Sequence, residues 1–144
     1  MMRVLFIPVL IGFMAFSAFA SDISIKETSL GQVYTNSQGM TLYHFDSDKE
    51  GQSSCYDECA KAWLPLLVTG ESSRSPGLGK IERKDGKFQW ALNRRPLYLW
   101  HKDQHPGDIT GAGVKNTWSL ACSMKCSCRS PLDKSRWQDY ILRR

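Results

Sequence analysis

Two stretches of the chain repeat one pattern. Leu42-Tyr43-His44-Phe45-Asp46-Ser47-Asp48 and Leu97-Tyr98-Leu99-Trp100-His101-Lys102-Asp103 both read Leu-Tyr-x-aromatic-x-x-Asp. The chain therefore carries a duplicated unit, and its fold must build one device twice. Residues two apart on an extended strand point to the same face, so Tyr43 with Phe45, and Tyr98 with Trp100, predict two strands with an aromatic face. Each Asp falls where its strand gives way to a turn.

The rest of the chain supplies further strands. Gln32 to Thr35 and Met40 to Phe45 flank Asn36-Ser37-Gln38-Gly39, a hairpin pattern with Gly at the turn. Ile81 to Arg83 and Phe88 to Leu92 flank Asp85-Gly86 in the same way. Leu64 to Val68 and Thr117 to Ala121 read as short strands, Ser21 to Ser29 as a polar leader, and Thr69 to Gly79 as a surface loop. Cys55 to Trp63 predicts a short helix, capped by Ser53 or Ser54, with acids in its first turn and Pro65 beyond its end. The fold class expected is mainly β: a small antiparallel domain of two related hairpin repeats, about 31–68 and 80–121, with one short helix and a Cys-rich C-terminal extension.

Arg3 precedes an apolar run from Val4 to Ala18, which closes on Ala18-Phe19-Ala20, the small-x-small form of a signal-peptidase site. Pro8 and Gly12 interrupt this run, which is shorter than the ~20 apolar residues of a spanning helix. Residues 1–20 are thus expected to be a cleaved signal, residues 21–121 the β domain, and residues 122–144 a basic, Cys-rich tail. The expected location is periplasmic or extracellular, and the chain is not expected to span a membrane. The formal net charge of +5 is scattered and includes no basic helix with interleaved aromatics, which argues against a nucleic-acid partner.

All five cysteines, Cys55, Cys59, Cys122, Cys126 and Cys128, lie beyond the signal and would meet an oxidising compartment. An odd number leaves one thiol to stay free, bind a ligand or bridge two chains into a disulfide-linked dimer. Cys55 and Cys59 are four apart on the expected helix, so their sulfurs share a face. A disulfide is the default there and a thiolate metal site the alternative; the spacing differs from the Cys-x-x-Cys of thioredoxin-like motifs. Cys122, Met124, Cys126 and Cys128 place three thiols and a thioether within seven positions, a soft-donor set of the kind that selects Cu(I). Structural or intermolecular disulfides compete with that reading, and no other cofactor is expected. His44, His101 and His105 would all have to converge to hold a hydrolytic zinc. The chain has no Gly-rich phosphate loop, no Gly-x-Ser-x-Gly elbow and no Cys-x-x-Cys-His.

The candidate site is then the motif itself: Tyr43, Phe45, Asp48, Tyr98, Trp100 and Asp103. Two carboxylates beside two phenols could form a ligand site across a pseudo-twofold axis. Alternatively, each Tyr packs in the core with its hydroxyl on a polar partner, and each Asp accepts turn N–H groups, which explains a repeated local device more simply.

Taken together, Leu42-Tyr43-His44-Phe45 to Asp48, Cys55 to Cys59, Trp63, Pro65-Leu66-Leu67, Trp90, Pro96 to Trp100, Asp103, Pro106-Gly107-Asp108, Thr110-Gly111, Gly113-Val114 and Trp118 closely resemble the bacterial secreted-repeat family of predicted lipoproteins. The resemblance covers about Gly31 to Ala121. It implies architecture and secretion rather than an activity, because the family's biochemical function is unassigned. The lipid-attachment Cys that members often carry is absent, which implies an untethered protein. Ala112 stands where the family loop commonly has an acidic residue, which argues against cation chelation there. The tail lies outside the resemblance. The expected role is non-enzymatic binding or structural service with an unidentified envelope component, the alternative being copper binding or thiol redox at the tail.

Overall fold

The computed structural model describes residues 23–70 and 75–123. Strands β1 (Ser24–Thr28) and β2 (Gly31–Thr35) form a hairpin, and β3 (Leu42–Phe45), helix α1 (Asp57–Ala62) and β4 (Trp63–Pro65) follow. Strands β5 (Leu78–Glu82) and β6 (Phe88–Leu92) form the second hairpin, turning at Gly86 with a φ of 76° that favours glycine. β7 (Arg95–Pro96), β8 (Tyr98–Trp100), a 3-10 turn (Val114–Asn116) and β9 (Trp118–Leu120) complete the order. The two halves correspond at an offset of 55 residues, which carries Tyr43 onto Tyr98, Asp48 onto Asp103 and Trp63 onto Trp118.

The central sheet has the order β4-β8-β3-β9, with every pair antiparallel. This order is palindromic in the repeats. The two motif strands lie side by side with Tyr43 opposite Tyr98, and each is flanked on its other edge by the outer strand of the other repeat. The exchange continues beyond the sheet. Leu66 donates its N–H to the Leu97 carbonyl (3.0 Å) and Ala121 donates to Leu42 (2.8 Å); Trp90 donates to Leu66 (2.8 Å) and Tyr34 to Ala121 (2.7 Å). The β1-β2 hairpin is thereby bridged to residues 121–123 of the second repeat, and the β5-β6-β7 sheet to Leu66 and Leu67 of the first. An isolated two-stranded hairpin is marginal in water, so β1-β2 in particular depends on its contacts with the second repeat.

Strand periodicity divides the core. Tyr43, Trp63, Tyr98, Trp118 and Leu120 cluster with Val33 and Cys55, while Leu42, Leu97, Trp90, Leu92 and Ala121 cluster separately. Pairing continues to the Val33–Cys122 bridge, and Ser123 donates its N–H to Gln32.

Three local expectations are corrected. The hairpin around Asn36 to Gly39 shrinks to the Thr35–Thr41 bridge and an Asn36 N–H to Met40 bond, because β2 pairs with β1 and both edges of β3 are taken by β8 and β9. The polar leader contains strand β1. Helix α1 begins after Tyr56 with no side-chain cap, because Ser54 is drawn to Asp48 and Ser53 to Tyr98. The expected signal, residues 1–20, and the tail beyond Ser123 lie outside the described residues. Among the described residues, no helix is long and apolar enough to cross a membrane.

This exchange makes the two repeats one folding unit. Leu42 is fully buried, and Leu42→Ala is expected to cost about 2–5 kcal/mol. Denaturant unfolding followed by tryptophan fluorescence and by far-UV circular dichroism should then shift as one coincident transition. Separate transitions for the two halves would refute the coupling.

Candidate functional site

Four of the six motif residues, the tyrosines and the aspartates, meet at the pseudo-twofold axis, and they do so crosswise. Tyr43 of the first repeat donates its hydroxyl to Asp103 Oδ2 of the second at 2.7 Å, and Tyr98 of the second donates to Asp48 Oδ2 of the first at 2.7 Å. The other oxygen of each carboxylate gathers its own loop. Asp48 Oδ1 accepts the N–H and hydroxyl of Ser54, both at 2.7 Å, while Asp103 Oδ1 accepts the N–H (3.0 Å) and hydroxyl (2.6 Å) of Thr110. Each Asp thus takes three hydrogen bonds: two that shape its turn and one that ties it to the other repeat.

Both tyrosines are fully buried. Burial, and then the hydrogen bond to Asp103, push the Tyr43 phenol well above its ordinary pKa; burial does the same for Tyr98, with the Asp48 bond adding to it. Both hydroxyls therefore stay protonated and act as donors. The surroundings of the two differ. The Tyr43 hydroxyl accepts the Gly111 N–H at 3.2 Å, where the chain passes so close that a Cβ on Gly111 would lie 2.8 Å from Trp63 and 2.9 Å from Tyr43. The Tyr98 hydroxyl meets Ser53 Oγ at 2.8 Å, and Ser53 accepts from Arg83 at 2.9 Å. Arg83 is buried; it also donates to Gln89 and to the Cys55 carbonyl, lies beneath the Tyr56 ring, and has Asp85 3.5 Å away.

Above the tyrosines, the aromatic positions make a continuous stack. Phe45 lies on Trp118 (centroids 4.4 Å apart), Trp118 on Trp63 (3.7 Å, planes within 4°) and Trp63 on Trp100 (4.0 Å). Tyr43 meets Trp63 edge-on and Tyr98 meets Trp118 edge-on. The stack is itself palindromic, because the offset that relates Phe45 to Trp100 also relates Trp63 to Trp118. Trp63 and Trp118 are buried and Phe45 and Trp100 are half-buried at the two ends.

The cysteine candidates Cys55, Cys59 and Cys122 pack against this aromatic core, and His101 meets the Trp100 ring edge-on at 4.5 Å. Cys55 and Cys59 form a disulfide. Of the tail donors, Cys122 is described and is disulfide-bonded, while Met124, Cys126 and Cys128 lie outside the described residues. The three histidines do not converge. His101 bonds the Ala62 carbonyl, His105 sits 3.6 Å from Asp108, and His44 is buried with Nδ1 2.9 Å from the Pro96 carbonyl. A carbonyl only accepts, so His44 carries its proton on Nδ1. Among the described residues, no three His, Cys, Asp or Glu side chains are placed to hold a metal ion.

The sequence marks Ser53 and Ser54 as cap candidates and Thr110-Gly111 as part of the family pattern, but gives none of them, nor Arg83, a place in this site. The available signal was positional: a hydroxyl follows the motif Asp by six residues in one repeat (Ser54) and by seven in the other (Thr110). Arg83 had no such marker, since nothing in its neighbourhood announces a buried guanidinium.

Residues 24–67 and 79–121 each match the model of a family described as a secreted repeat of unknown function. No curated protein and no solved structure matches the chain.

Replacing Tyr43 or Tyr98 with Phe removes a hydrogen bond to a carboxylate, an interaction worth about 1.5–3 kcal/mol. Tyr43→Phe is expected to cost more in chemical denaturation: each replacement strands a buried donor, the Gly111 N–H or the Ser53 hydroxyl, but only Tyr43→Phe also deprives a buried carboxylate, Asp103, of its donor, whereas Asp48 is half-exposed and water can replace it. Equal losses would refute this asymmetry. His44 provides a pH signature. Burial, with the Arg95 charge adding to it and the Pro96 bond opposing, lowers its pKa from 6.5 to about 4. The unfolded chain therefore takes up this proton first, and stability is intact above about pH 6.5 and falls as the pH drops toward about 4, by on the order of 3 kcal/mol. His44→Leu, the residue type present at the corresponding Leu99, should flatten the stability profile over that window; an unchanged slope would remove His44 as its cause.

Proposed function

The chain belongs to this family of secreted repeats, and from that membership we propose that it serves in the periplasm or outside the cell as a non-enzymatic binding or structural protein of the cell envelope. One observation carries the reading. The phenols and carboxylates of the motif, which are its most reactive groups, are spent on one another across the two repeats, with both tyrosines fully buried. A motif used in this way builds a rigid frame. Recognition then falls to the exposed loops that the two aspartates hold in place, from Ser47 to Ser54 and from Lys102 to Thr110.

The disulfide between Cys55 and Cys59 supports the same reading, since such bonds persist in oxidising compartments. The partner is an envelope component, and the half-exposed Trp100 with the neighbouring exposed Lys102 offers it a surface with both apolar and cationic character.

Cell fractionation combined with co-sedimentation tests this proposal. The chain is expected outside the cytoplasm, and the purified protein should sediment saturably with one of three isolated fractions: peptidoglycan, cytoplasmic-membrane vesicles or outer-membrane vesicles. Retention in the cytoplasm, or failure to bind any fraction, would overturn it. Stoichiometric Cu(I) uptake by the reduced chain, lost in the Cys122→Ser, Cys126→Ser double variant, would replace it with copper handling.

A further inference from the structure

The geometry points to a one-electron relay: Trp100 takes up an oxidising equivalent at the surface, Trp63 and Trp118 carry it inward, and Tyr43 or Tyr98 holds it as a tyrosyl radical. This inference stands on the aromatic core and is independent of which envelope component the protein binds.

The path is continuous. Trp100 and Trp63 are stacked with centroids 4.0 Å apart, and Trp63 and Trp118 follow at 3.7 Å with parallel planes, so their π systems are in van der Waals contact. Tyr43 stands 5.3 Å from Trp63 and Tyr98 stands 5.2 Å from Trp118, each edge-on. One end is reachable, because Trp100 is half-buried; the other end is sealed, because both tyrosines have no exposed surface.

The proton has a destination. A phenol that loses an electron becomes strongly acidic, so its oxidation requires an acceptor for the hydroxyl proton. Asp103 Oδ2 lies 2.7 Å from the Tyr43 hydroxyl and Asp48 Oδ2 lies 2.7 Å from that of Tyr98, and in both bonds the tyrosine is already the donor. A diffusing radical oxidant gains one electron from Trp100, the vacancy moves through Trp63 to the tyrosine, the tyrosine O–H bond breaks, and the proton forms an O–H bond on the aspartate. The products are the reduced oxidant, a neutral tyrosyl radical and a carboxylic acid. A one-electron reductant, such as a small thiolate that becomes a thiyl radical, resets the site as the proton returns from the aspartate to the phenol.

Charge favours inward transfer. The Lys102 ammonium lies 5.9 Å from the Trp100 ring and disfavours a positive charge there, while the carboxylates of Asp48 and Asp103 flank the interior tyrosines. Burial then shields the radical from coupling to a second chain.

Pulse radiolysis of the full chain with azide radical as the oxidant tests the relay. The tryptophanyl absorbance is expected to decay as the tyrosyl absorbance grows, in a first-order process independent of protein concentration and slower in deuterium oxide. Trp63→Phe should slow that growth several-fold. The Tyr43→Phe, Tyr98→Phe double variant, which keeps both rings in the core, should lose it and leave the tryptophanyl radical long-lived. Growth that depends on protein concentration, that ignores the solvent isotope, or that survives the double replacement would overturn the proposal. The concentration and isotope measurements need only the wild-type chain, so a variant that fails to fold leaves the test intact.

Discussion

A hydrogen bond from a phenol of one repeat to a carboxylate of the other organises this molecule, and it occurs twice. Each carboxylate spends one oxygen on its own loop and leaves the other for the phenol of the opposite half. Tyr43 points into a core where its hydroxyl needs an acceptor, and that acceptor, Asp103, arrives only when the second repeat is in place. Asp103 in turn tolerates burial because all three of its hydrogen bonds are made, two by Thr110 and one by Tyr43. An unsatisfied buried carboxylate would cost more than either bond returns, so partial assembly is penalised and complete assembly is favoured. Folding cooperativity across the repeats follows from this asymmetry between making all of the bonds and making some of them.

The aromatic stack rests on the same constraint. With Tyr43 and Tyr98 pinned opposite each other on adjacent strands, the period of the strand places Phe45 and Trp100 on the same face and outward along it. The outer strands, each from the other repeat, bring Trp118 opposite Phe45 and Trp63 opposite Trp100. Four rings then meet in palindromic order. Stacked and edge-on aromatic pairs contribute about 0.5–1.5 kcal/mol each beyond the area they bury, which matters in a chain with only a modest core. The arrangement has the character of an isologous dimer interface, in which one surface contacts its own copy, here joined through a single chain.

The faces of the motif strands, the second hairpin, the short helix and the Cys55–Cys59 bond were legible because their causes are local: a period of two, a turn at Asp85-Gly86, four-residue spacing. What was not legible was who pairs with whom. Strand β3 forgoes the strand next to it in sequence for β8 and β9, and no local pattern encodes a partner 55 residues away. Strand β1 was missed because its residues are largely exposed, so Ser24 to Thr28 lacks the apolar alternation that marks a half-buried strand. Ser53 and Ser54 have the local pattern of helix caps, their common use ahead of a helix. The tertiary demand of Tyr98 and Asp48 prevailed over it. Of the candidate site, the residues were visible in the duplication, but the crosswise pairing required the sheet order.

The two halves also differ at a place that the symmetry makes conspicuous. Around Tyr43 the neighbouring donor is the Gly111 N–H, a neutral backbone group, whereas around Tyr98 the neighbour is Ser53, backed by the buried guanidinium of Arg83. The direction of the hydrogen bonds in this second chain follows from donor capacity. Arg83 can only donate, so Ser53 accepts from it; Tyr98 donates to Asp48, so Ser53 must donate to Tyr98. Positive and negative charge are thus joined through two hydroxyls rather than by direct contact, and each bond polarises the next. The first repeat's Asp48 is half-exposed and its partner chain ends on a cation, while the second repeat's Asp103 is buried and its partner is neutral. One architecture therefore holds two phenol–carboxylate pairs in different electrostatic settings: a pair shielded from water in one half, and in the other a pair coupled both to solvent and to a buried charge.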